Sequence, residues 1–165
     1  MIEDVTRTQA VLVHRHLRTG WAVLFVSAAL GLGVETLHAF KIAAYVAVSN
    51  ETRRLMWTLA HAHGVGLGLI NIAFASTVRL QPDAARRRAG VASRCLLAST
   101  ALIPAGFFLG GCYTYDGDPG LGILLVPVGG LLLLTALGLM VAPLWRRRAA
   151  EPASVRPEPN RSRRR

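Results

Sequence analysis

Four ionisable side chains lie within the long apolar segments of this sequence, and their types suit metal or proton chemistry. Glu35 and His38 interrupt one apolar stretch, and His61 and His63 interrupt the next. Ionisable groups are costly inside a membrane, and where they occur there they commonly mark a functional site. Because the chain folds back between the two stretches, we expect all four side chains at a similar depth.

Helical spacing decides which of these side chains can meet. Glu35 and His38 are three residues apart and share one helix face. His61 shares a face with the paired glycines Gly64 and Gly68, and such a small-xxx-small pair favours close helix packing. His63 lies roughly 200° further round the helix and points nearly opposite. We therefore expect His61 to face Glu35 and His38, and His63 to face the third or fourth segment or a partner.

Three chemical functions fit this arrangement. The first is a b-type haem held by histidines on facing helices, with Glu35, His38, His61 and His63 as the candidate cofactor-binding residues. The second is a transition-metal ion, for which Glu35, His38 and His61 offer mixed oxygen and nitrogen ligands. The third is a proton relay to the outer aqueous phase. A structural role also stays open, in which Glu35 pairs with a neighbouring histidine or with Lys41. No residue is assigned a catalytic role, and whether the chain is an enzyme is left undecided.

The stretch LAHAHGVGLGLINIAF, which runs from Leu59 to Phe74, resembles the His-x-His helix of haem-copper-oxidase-like membrane proteins. It covers 16 of the 165 residues and includes His61 and His63. In those proteins such a helix helps to ligate haem or copper, so the resemblance implies haem or metal binding. The family proteins have many more helices and histidines than this chain.

Four long apolar stretches position these residues. The composition is 52% hydrophobic and only 17% charged, which excludes an ordinary soluble domain. Each stretch is long enough to cross a bilayer core of about 30 Å. The sequence therefore predicts an all-α fold, a bundle of four transmembrane helices, with these spans: Trp21–Val48, Leu55–Val78, Cys95–Cys112 and Leu121–Trp145.

The basic residues that give the chain its net charge of +10 are concentrated in alternating segments. Three segments that alternate along the chain hold 16 of the 19 basic residues, and the two connections between them hold only Lys41, Arg53 and Arg54. This asymmetry is what the positive-inside rule predicts. We expect both termini to be cytoplasmic, in a bacterial-type cytoplasmic (inner) membrane. The basic runs lack interleaved aromatic residues, so nucleic-acid binding is not expected.

The chain divides into three parts on this interpretation. Residues 1–20 form a basic cytoplasmic segment, residues 21–145 the transmembrane domain, and residues 146–165 a disordered basic tail. The partners expected are the lipid bilayer, anionic lipid headgroups that contact the arginine-rich tail, and a membrane-complex partner or a second copy of the chain. Two alternatives to a haem or metal protein remain: a non-catalytic structural subunit of a membrane complex, and a small proton- or ion-coupled transporter subunit.

Overall fold

The protein is all-α, with four helices that are long and apolar enough to cross a membrane. The structure is a computed structural model that describes residues 2–80 and 88–150, with side chains described within 7–80 and 88–142. The long helices are α1 (Ile2–Ala39), α3 (Glu51–Leu80), α4 (Ala89–Cys112) and α5 (Leu125–Ala150). The connections contain a short helix, two 3-10 turns and an antiparallel strand pair: α2 (Ala43–Val46), Val48–Asn50, Leu121–Leu124, β1 (Thr114–Tyr115) and β2 (Asp118–Pro119).

The helices pack mainly in chain order, α1 against α3, α3 against α4 and α4 against α5. The apolar core lies chiefly between α3 and α4, where Leu67, Phe74, Leu96 and Ile103 are buried. We call the end that holds residues 40–50 and 113–120 the loop end. The opposite end, where α1 and α4 begin and α3 finishes, is the basic end, because Arg7, Arg15, Arg18, Arg79, Arg88 and Arg94 lie there.

Close backbone approach between α1 and α3 is made possible by glycines. A Cβ atom added to Gly68 would lie 2.8 Å from Cγ of Leu24 and 3.0 Å from the carbonyl oxygen of Gly20. A Cβ on Gly64 would collide with the side chain of Ser27. The predicted glycine pair therefore does bring α3 against α1, since no larger residue fits at this separation.

The first helix differs from its predicted span at both ends. It begins at Ile2, well before Trp21, and it ends at Ala39 rather than continuing to Val48. It ends because the N–H of Lys41 donates to the carbonyl of His38 and the N–H of Ile42 donates to that of Leu37, each at 3.0 Å. Lys41 takes a left-handed φ of 51°. This is a Schellman motif, which stops a helix and turns the chain.

The predicted boundaries of the transmembrane domain, at residues 20 and 146, do not coincide with helix ends. Residues 2–20 continue without a break into α1. Helix α5 continues through residues 146–150, where the predicted tail begins. Residues 151–165 of that tail, and residues 81–87 of the predicted basic connection, lie outside the described residues.

The glycine contact predicts opposite outcomes for two neighbouring substitutions. Gly68→Ala should lower the free energy of unfolding by about 1–3 kcal/mol, the usual cost of overpacking. Gly66→Ala is the matched control, because a Cβ there has nothing within 4 Å. It should be neutral or stabilise the helix by up to about 1 kcal/mol through helix propensity. Reversible unfolding in detergent micelles measures both, and equal effects would show that α1 and α3 do not meet at Gly68.

Candidate cofactor site and a second polar cluster

A groove at the loop end brings together three of the four ionisable residues singled out in the sequence. It has a volume of about 550 Å³ and lies between α1 and α3, with Tyr45 of α2 on its wall. Glu35, His38 and His61 all line it. The rest of the wall consists of Thr58 and four small or apolar residues: Ala28, Gly31, Leu32 and Val34. We call this cavity the loop-end groove.

His61 is the most firmly oriented side chain of the groove. Its Nδ1 lies 2.7 Å from the carbonyl oxygen of Ser27 on α1, and it donates a hydrogen bond there. Its ring lies over Gly31, where an added Cβ would come within 2.6 Å of Nδ1. Nε2 has no hydrogen-bond partner among the described residues, and in the neutral ring it carries the lone pair because the proton lies on Nδ1. A backbone acceptor on Nδ1 is the arrangement that commonly orients a ligating histidine.

Glu35 and His38 are exposed at the groove. Glu35 forms no ion pair or hydrogen bond with His38, His61, Lys41 or any other described residue. The ring of His38 lies edge-on to Tyr45, with 6.5 Å between the ring centroids. The carboxylate pairing expected of a purely structural role is therefore not what the geometry shows.

His63 lies outside the groove, as the helical spacing predicts. Its Nδ1 donates to the carbonyl of Leu59 at 2.9 Å, and its ring packs on Phe107 of α4 at 4.7 Å between centroids. It is thus separated from the other three residues by the body of α3. Among residues 7–80 and 88–142, no three His, Cys, Asp or Glu side chains are grouped closely enough to hold a metal ion.

The outer rim of the groove is held by two arginines. Arg54 donates to the carbonyls of Tyr45, Val46 and Ala47, at 3.3, 2.9 and 3.0 Å. Arg53 donates to the carbonyls of Ala44 and Gly111, at 3.0 and 3.1 Å. These bonds tie the carbonyl groups at the end of the short helix to α3, and the bond to Gly111 adds the end of α4. They fix Tyr45 at the mouth of the groove, where it stacks on Trp57.

A second polar cluster, at the basic end, was not predicted as a site. It consists of His16, Asn71, Ser93 and Thr100, of which the first three are completely buried and the last is nearly so. The four side chains come from α1, α3 and α4. We call them the basic-end cluster.

Hydrogen-bond donors and acceptors are fully matched in this cluster. Asn71 donates its amide protons to Oγ1 of Thr100 and to the carbonyl of Leu67, both at 2.8 Å. Its Oδ1 therefore accepts from Nδ1 of His16, at 2.6 Å. Nε2 of His16 lies 2.7 Å from Oγ of Ser93. The same Oγ accepts a hydrogen bond from Arg15. The Ser93 hydroxyl proton is then free to be donated to Nε2, so the neutral Nδ1–H tautomer of His16 is satisfied on both sides.

The burial of His16 could have been predicted from its position on the face of α1 that packs against α3. His16, Gly20, Leu24 and Ser27 follow one another at spacings of four and three, which places them on the face that packs against α3. The neighbouring basic residues, Arg15 and Arg18, instead favoured the prediction of a basic cytoplasmic segment over residues 1–20. The structure buries His16 because α1 extends far enough toward the basic end to cover α3 and α4.

Comparisons of the chain with protein-family models, with curated proteins and with solved structures return no match. The assignment of function therefore depends on the geometry of the chain itself.

The basic-end cluster predicts a substitution that weakens the bundle without touching the loop-end groove. Asn71→Leu removes the side chain that links His16 to Thr100, and should lower the free energy of unfolding by about 1–3 kcal/mol, because a buried partner loses its bond. Ser76→Ala is the control, since the exposed Ser76 hydroxyl bonds only to Ile72 of its own helix. Unfolding in micelles measures both. An Asn71→Leu protein as stable as the control would show that the cluster does not join the helices.

Proposed function

We propose that this chain is a multi-pass membrane protein that binds a haem-like metal cofactor in the loop-end groove. The observation that supports it is the orientation of His61, whose Nδ1–H is occupied by the Ser27 carbonyl while Nε2 stays available. The local resemblance of the Leu59–Phe74 helix to haem-copper-oxidase-like proteins favours the same chemistry.

Haem suits the groove better than a bare metal ion. A structural metal ion takes about four protein ligands in a fixed geometry, and no group of three ligand-type side chains is present among the described residues. Haem supplies four nitrogen ligands of its own, so the protein needs to provide only one or two axial groups. His61 and His38 would hold the haem iron. Glu35 is proposed as a polar group at the rim.

The walls and rim of the groove are chemically compatible with a flat amphipathic cofactor. Ala28, Gly31 and Leu32 provide small and apolar contacts on the α1 side. Lys41 lies three residues beyond His38 and is exposed, and its side-chain ammonium has no hydrogen-bond or ion-pair partner among the described residues. It is therefore the candidate counter-charge for the cofactor carboxylates. Arg53 and Arg54 are already engaged with backbone carbonyls.

Charge placement supports a direction for the bundle. The arginines of the basic end favour a cytoplasmic position for that end, and hence for both termini. The loop-end groove would then open toward the outer face of a bacterial-type inner membrane. Partner chains or a second copy of this chain are compatible with the long exposed faces of α1 and α5.

Spectroscopy of the purified protein tests the proposal. Detergent-purified protein, supplied with haem if it is colourless, should show a haem absorption spectrum near one haem per chain. His61→Ala should abolish that spectrum, and His38→Ala should shift it because one of the two residues that would hold the iron is lost. His63→Ala is the matched control: His63 lies on the same helix, also donates from Nδ1 to a carbonyl, and lies outside the groove. It should retain the full spectrum.

Two outcomes would overturn this assignment. Unchanged haem binding in His61→Ala would show that the axial ligand is wrong. Wild-type protein that takes up no haem and carries no metal by elemental analysis would favour the non-catalytic structural subunit instead.

A further inference from the structure

An open basic surface, unrelated to the loop-end groove, lies along α1 at the basic end. Its described residues all come from this one helix. Arg7, His14, Arg15 and Arg18 supply its polar side, together with Thr19. The remaining lining is small or apolar: Ala10, Val11 and Ala22. Because these residues recur at spacings of three and four, the basic side chains form one stripe along the helix.

The positive charge of this stripe is not neutralised by the described residues. The side chains of Arg7, His14 and Arg18 form no ion pair or hydrogen bond with any described residue. Arg15 donates to Oγ of Ser93 through one terminal nitrogen, which leaves its other N–H groups available. Three arginines within about three helical turns therefore present a concentrated cationic surface, with no counter-ion among the side chains described within 7–80 and 88–142.

The same helix face becomes apolar immediately beyond the last arginine. Trp21, Phe25 and Leu32 are 65%, 77% and 71% exposed. Trp21 lies seven residues after His14, and Phe25 lies seven after Arg18, so both continue the line of the stripe. Cationic groups followed along one helix face by exposed aromatic and aliphatic side chains match an amphiphile with an anionic head and acyl chains. The tryptophan lies at the junction, where such rings prefer the membrane interface.

We infer that this face of α1 binds an anionic phospholipid, with its phosphate between Arg7, Arg15 and Arg18 and its acyl chains along Trp21 and Phe25. This site differs from the arginine-rich tail, because its residues belong to a helix that is packed into the bundle. Arg15 connects it to the basic-end cluster through Ser93. A bound phosphate fixes Arg15 in place, and so holds α1 against α4 as well as holding the lipid.

Lipid binding can be measured on the intact chain. Native mass spectrometry of the purified protein, supplied with equal amounts of phosphatidylglycerol and phosphatidylcholine, should show selective retention of phosphatidylglycerol. Thermal unfolding should occur at a higher temperature with phosphatidylglycerol than with phosphatidylcholine. The double variant Arg7→Gln with Arg18→Gln spares the Arg15–Ser93 contact. It should bind phosphatidylglycerol about 30-fold more weakly, as expected for the loss of two arginines at an anionic surface.

A control double variant that removes the same charge distinguishes a specific lipid site from general electrostatic attraction. Arg79→Gln with Arg94→Gln removes the same charge from α3 and α4 at the same end, outside the stripe. It should keep the selectivity and the thermal shift. An equal loss of phosphatidylglycerol binding in both double variants would overturn the proposal, because any basic residue at that end would then bind the lipid equally well. A full thermal shift with inorganic phosphate alone would also overturn it, since the acyl chains would then contribute nothing.

Discussion

The close approach of α1 and α3 at Gly20 and Gly68 is the constraint on which the rest of the arrangement depends. A backbone separation this small exists only because neither position carries a Cβ atom. At one end of the contact it brings His16 within hydrogen-bond distance of Asn71. At the other end it brings the carbonyl of Ser27 to His61. Both polar groupings are therefore consequences of one packing interface.

The two groupings differ in how completely their polar atoms are used. In the basic-end cluster every buried side-chain nitrogen and oxygen has a partner, so the cluster stabilises the helices and leaves nothing for a ligand. In the loop-end groove, Nε2 of His61 and the side chains of Glu35 and His38 lack protein partners among the described residues. Polar groups that line a cavity without a protein hydrogen-bond partner are accessible to water or to a ligand, whereas the polar groups of the basic-end cluster are not.

Much of this organisation follows from the sequence, because it depends on local patterns. Apolar length predicts four helices, the Gly64 and Gly68 spacing predicts the α1–α3 contact, and helical geometry separates His61 from His63. Sequence reasoning missed two features, one that depends on a distant residue and one that depends on an unusual local backbone conformation. The burial of His16 requires α4 to supply Ser93, which is 77 residues away. The end of α1 at Ala39 depends on a left-handed conformation of Lys41, a residue type that does not normally signal such a turn.

Helix α5 contributes no hydrogen bond to either grouping within the described residues. Its one described side-chain bond, from Thr135 to Leu131, lies within the helix itself. Every polar contact that positions His16 and His61 is thus encoded before Tyr113. During synthesis, these contacts can form as soon as α4 has entered the membrane, before the last helix is made. The last helix contributes packing rather than polar contacts: a Cβ on Gly129 would come within 2.6 Å of Cγ1 of Ile103, and Ala136 is buried in the core. Its sequence is therefore restricted by residue size along α4, whereas the first three long helices are also linked by hydrogen bonds.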